Sequence, residues 1–92
     1  MPVIYKYPIE PTTKQTKTEP YSWYPLHVGT DPIGEPCVWV EADLTVPVET
    51  SYDFYVVATG SEVPDVAECY LGTVHQEHYV WHIFYTEVSA NG

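Results

Sequence analysis

The stretch CYLGTVHQEHYVWHIFYTEV, residues 69–88, decides the fold. It is dense in β-branched and aromatic side chains, which favours strand over helix, and HQEH (75–78) falls where a hairpin turn is needed. In a hairpin that pairs His75 with His78, Val74 lies opposite Tyr79, Gly72 opposite Trp81 and Tyr70 opposite Ile83. Trp81 then shields the bare backbone of Gly72. The other face carries Leu71, Val80 and Phe84 together with His75, His78 and His82. Both faces are substantially apolar, so one must be covered by a second sheet or by another protein chain.

Working outward, the same period-two pattern recurs. Thr50–Ala58 puts Tyr52, Phe54, Val56 and Ala58 inward and Ser51, Asp53, Tyr55 and Val57 outward. Cys37–Leu44 puts Val38, Val40, Ala42 and Leu44 on a core face and Cys37, Trp39, Glu41 and Asp43 on a half-wet one, and these two strands are expected to pair as a meander. Upstream, Asp31-Pro32-Ile33-Gly34 has the residues of a type I turn, which predicts a hairpin between a short strand at Tyr24–Val28 and the strand from Cys37. Val3–Ile9 alternates as well, with Val3, Tyr5, Tyr7 and Ile9 on one side and Ile4, Lys6 and Pro8 on the other; Pro8 marks an edge or a strand end. Residues 10–20 read as a polar loop with a short edge strand, and Gly60–Glu68 as a loop with room for one helical turn near Asp65 and Glu68. There is no repeat or linker. The expectation is a single all-β domain over residues 1–92, a small antiparallel sandwich or open barrel of six or seven short strands.

The chain has 92 residues, 45 % of them hydrophobic, and its 9 Tyr, 3 Trp and 2 Phe are too much apolar surface for a disordered chain. It has 13 Asp and Glu against 3 Lys and no Arg, a formal charge of −10. That balance excludes nucleic-acid binding by phosphate neutralisation and adhesion to anionic membranes. Lys6, Lys14 and Lys17 all lie in the first 17 residues; from residue 18 onward there are only acids. An acidic surface keeps a small protein soluble and steers it toward basic partners. The N-terminus lacks the pattern of a signal peptide and no run approaches a membrane span, so a cytosolic location is expected.

No constellation of reactive residues points to catalysis or to a cofactor. In the hairpin register above, His75 and His78 face one another, while His82 stands roughly 13 Å further along its strand, too far to share one ion. Cys37 and Cys69 are expected as free thiols, and neither sits in a setting that activates a nucleophile. Glu41 and Asp43 share a face, but carboxylates are everywhere in this chain. Gly29, Gly34 and Gly60 form no phosphate-binding pattern. Tyr21, Trp23 and Tyr24 form an aromatic cluster that either caps the core or anchors an interface.

IYKYPI (4–9), GEPCVWVEAD (34–43), YVVATGSEVP (55–64) and YLGTVHQEHYVWHIFY (70–85) follow one another in an order that resembles a family of small phage-encoded proteins, a domain of unknown function. The sequence departs from that family's pattern at Gln76-Glu77, where glycine is expected. The resemblance implies expression in an infected bacterium and supplies no catalytic residues. The expected function is that of a non-enzymatic phage accessory protein that binds a protein partner with a basic surface, as an inhibitor of a host or defence protein would. Trp39, Glu41 and Asp43 are the candidate binding residues, with Trp23 and Tyr24 as aromatic anchors. The alternative is a virion decoration or minor structural protein, or a self-assembling homo-oligomer subunit.

Overall fold

A computed structural model describes residues 1–11 and 14–88 as two antiparallel sheets packed face to face; positions 12 and 13, within the loop expected at 10–20, lie outside the described residues. The seven strands are β1 (Val3–Pro8), β2 (Gln15–Glu19), β3 (Ser22–Thr30), β4 (Pro36–Asp43), β5 (Thr50–Ala58), β6 (Cys69–Gln76) and β7 (Tyr79–Val88). Sheet A has the order β1-β4-β3 and sheet B the order β2-β5-β7-β6; there is no helix among the described residues. The thin dimension of the molecule, 15 Å, is that of two stacked layers.

Alternation built the interior as expected. Val38, Val40 and Ala42 of β4 and Phe54 of β5 are completely buried, and Val56, Val74 and Ile83 join them. Leu44 does not, because β4 ends at Asp43 and the chain turns there. The β3–β4 hairpin closes through the expected turn: Gly34 N–H donates to Asp31 O at 2.9 Å, and the Asp31 carboxylate accepts from the amides of Ile33 and Glu35. The 60–68 segment contains a turn in which Ala67 N–H donates to Pro64 O, and no helical turn.

Three expectations are corrected. β4 and β5 do not pair; they lie in different sheets and meet across the core through Val40, Ala42 and Phe54. The β6–β7 register is shifted by two residues, with Gln76 opposite Tyr79, His75 opposite Val80, Val74 opposite Trp81 and Gly72 opposite Ile83. A shift of two keeps the faces of those residues. Glu77 takes the left-handed backbone (φ 54°) where glycine would be easier, so the tight turn is Glu77-His78. Finally, a bulge at Leu71 turns that side chain toward the core and leaves Tyr70 on the outer face beside Phe84. Gly72 is covered not by Trp81 but by the other sheet: a Cβ there would stand 2.7 Å from Val28 Cγ2.

The apolar outer face of sheet B is covered in part by the chain itself. Tyr55 and Val57 point outward yet are buried, Val57 beside Ser61 and Val63 of the 59–68 segment, while Tyr70 stays exposed. Thr86 pins that segment, its hydroxyl donating to Val66 O at 2.5 Å and accepting from Glu68 N–H.

Candidate functional site

Among the described residues, sheet A offers an outer face that no other layer covers, although Cys37 at one end of it is buried. Residues directly opposite one another in antiparallel strands project to the same side, so the register defines its rows. One row is Ile4, Glu41, Tyr24; the next is Lys6, Trp39, His27; Asp43 and Ser22 extend it at one end. Tyr24, Trp39, Glu41 and Asp43 therefore lie together on one surface. Ile4 and Tyr24 are exposed, and Trp39 is half-buried with His27 stacked near it at a centroid distance of 6.1 Å.

Trp23 does not join them. It alternates to the opposite side, is 2 % exposed, and packs against Tyr52 at 4.7 Å and Tyr7 at 5.6 Å between ring centroids. Its indole N–H donates to Thr50 O at 2.9 Å, tying the start of β5 to sheet A. It stands opposite Ala42, whose small side chain leaves space for the indole. Of the two options for the aromatic cluster, Trp23 takes the core role and Tyr24 the surface one. Ile4, Lys6 and His27 were missed as neighbours of the site; alternation in Val3–Ile9 already set Ile4 and Lys6 on the same side of their strand, but nothing in the sequence paired β1 with β4.

The charges of this face are held in place. The Tyr24 hydroxyl is hydrogen-bonded to Glu41, and that bond raises the phenol above its ordinary value. Asp43 accepts from the hydroxyl and amide of Thr45 and lies 3.6 Å from the Met1 ammonium, which together lower its carboxyl. The amides of Glu35 and Ile33, with Lys6 at 3.4 Å, likewise lower Asp31. Lys14 pairs with Asp53 at 3.6 Å, and Lys17 lies over the Tyr7 ring. The N-terminal strands thus fold back onto the acidic region and bring two of its three lysines to aspartates. Glu41 has no cation within ion-pair distance among the described residues. Glu41, Asp43, Tyr24, Ser22, Pro2 and Val46 surround a shallow depression of about 210 Å³, with room for one long side chain.

The other chemical candidates are not assembled. His75 and His78 are not opposed in the observed register, and no three His, Cys, Asp or Glu side chains converge among the described residues. His82 is held by Thr59 at Nε2 (2.8 Å) and by Thr73 at Nδ1 (3.0 Å), and Thr73 is bonded in turn to Tyr70. This chain borders a hollow of about 340 Å³, but its polar groups are spent on one another, and a hydroxyl rather than a carboxylate holds Nδ1. Both cysteines are free; burial, with the nearby Asp31 charge, pushes the Cys37 thiol up, away from a thiolate nucleophile.

A small all-β sandwich with one bare aromatic and acidic sheet face is the class that these observations define. Over residues 1–91 the chain matches the model of a domain of unknown function, DUF7352, and it belongs to that family. No curated protein and no solved structure matches it.

Proposed function

We propose that this chain is a non-enzymatic binding protein whose partner offers a basic surface, and that the partner docks on the outer face of sheet A. The observation that carries this is the grouping of Tyr24, Trp39, Glu41 and Asp43 on the uncovered face of a chain with a formal charge of −10. Charge complementarity raises the rate of encounter, while the aromatic rings supply buried area and a seat for a lysine or arginine head. The depression at Glu41 and Asp43 is the place for that head group; a cation there displaces the Met1 ammonium from Asp43. Trp23 serves by holding the scaffold rigid from inside.

The setting comes from the resemblance to phage-encoded proteins: expression in the cytoplasm of an infected bacterium, with a host or defence protein as the target. Capture from host lysate at low salt tests it, with Tyr24→Ala and Glu41→Lys variants run in parallel. The expected result is a basic protein held by the wild type, released by salt and lost in both variants. Capture indifferent to salt and to both substitutions contradicts the proposal. Fixed-copy presence in purified phage particles would favour the decoration role instead.

A further inference from the structure

We propose that β1 is the pairing edge of a two-fold homodimer, in which the β1 strands of two copies lie antiparallel and join their A sheets into one of six strands. A sheet edge is a row of unpaired backbone groups, and proteins blunt such edges with proline, bulges or charge. The edges of this molecule are not treated alike. β3 carries Pro25 and a bulge at Leu26, β6 carries a bulge at Leu71, and β2 is the short polar segment QTKTE. β1 keeps an unbroken register with β4 and exposes Val3, Ile4 and Tyr5.

The backbone shows which groups the edge presents. Ile9 N–H donates to Pro36 O at 3.1 Å, and in a regular antiparallel ladder the residues that bond to the neighbour alternate. Tyr7, Tyr5 and Val3 therefore bond to β4, and the amides of Ile4 and Lys6 point away from it. Pro2 and Pro8, on either side, have no N–H to offer. The edge thus has two outward donors at positions i and i+2, closed off at both ends. In the self-pairing register centred on Tyr5, Ile4 stands opposite Lys6 of the second copy and Lys6 opposite its Ile4. All four outward amides are then satisfied, and Tyr5 meets its counterpart on the two-fold axis.

Charge opposes a second copy least at this edge. Two chains of −10 repel over most of their surface, yet among the described edge strands β1 alone carries a lysine and no acid, and that Lys6 is already paired with Asp31. In the Tyr5-centred register the two lysines do not oppose each other. The dimer also runs the two outer faces together, so that a basic partner would meet the Glu41 sites of both copies; the pairing itself does not rest on that partner.

Light scattering across a dilution series, on the wild type and on Ile4→Pro, tests the pairing. Ile4→Pro removes an outward N–H and leaves the bonds to β4 intact. The expected result is a mass of twice 10.5 kDa for the wild type and a folded monomer for the variant. A wild type that is monomeric throughout, or a variant that remains dimeric, overturns the proposal. Should the variant fail to fold, amide exchange on the wild type decides: protection at Ile4 and Lys6 that grows with protein concentration supports the pairing, and exchange independent of concentration refutes it.

Discussion

Gly72 shows how one residue sets the spacing of the two sheets. A methyl group at this position would stand 2.7 Å from Val28 Cγ2, inside van der Waals contact, and Val28 is β-branched and 2 % exposed, so it cannot swing aside. Gly72→Ala is expected to cost about 1–3 kcal/mol of stability in urea unfolding. Pairing it with Val28→Ala should make the double variant less destabilised than the sum of the two, a coupling that a double-mutant cycle measures. Strict additivity would mean that the two residues do not touch. Periodicity placed Gly72 on one face with Val74, left open which face is buried and named the wrong neighbour, because the turn at Glu77-His78 uses a residue whose side chain disfavours the left-handed backbone. On the outer face of sheet A, alternation assigned Trp39, Glu41 and Asp43 to one side of β4, whereas Trp23 and Tyr24, adjacent in a stretch without clean alternation, could not be told apart.

Among the elements, the 59–68 segment bears on how a sheet with two apolar faces lives in a small protein. Sheet A covers the inner face of sheet B, and on the outer face Val57 of β5 lies beside Ser61 and Val63 of this segment, while Tyr70 of the hairpin stays exposed. Its hold depends on Thr86, whose hydroxyl bonds both Val66 O and Glu68 N–H. Thr86→Val keeps the shape and loses both bonds, for a cost of about 1–2 kcal/mol. The segment should become the first site of limited proteolysis while β3 and β4 keep their amide protection. Uniform loss of protection would show that the segment is integral to the fold rather than a cover. The surplus of apolar surface was legible in the alternation of residues 69–88; its cover was not, since loops carry no periodic signal. The β4–β5 pairing failed for a related reason: a pattern reports which face is buried, not whether its neighbour lies beside it or across the core.

For the molecule as a whole, the charge of −10 has become a map. Lys6 and Lys14 stand on Asp31 and Asp53, and the Met1 ammonium stands on Asp43. Asp31 and Asp43 have carboxyls lowered by hydrogen bonds and these cations, so they bind protons less readily folded than unfolded. Their contribution is fully present above the unfolded value of about 4 and is lost as pH falls through the lower folded values. Thermal unfolding should therefore show stability falling below about pH 4, and Asp31→Asn should reduce that dependence. An unchanged acid limb in the variant would mean that Asp31 does not contribute to it.

The central claim is that a cationic partner selects the outer face of sheet A over the other acidic parts of the surface. The three tryptophans report on this directly: Trp39 lies on that face, Trp23 in the core, and Trp81 on the inner side of sheet B. A titration with a Lys- and Arg-rich peptide, followed by NMR of the indole and backbone amides, tests the selection. It should shift Trp39, Tyr24, Glu41 and Asp43 and leave Trp23 and Trp81 in place. Shifts spread evenly over the acidic residues, or centred on the 62–68 loop with Trp39 unmoved, would contradict it.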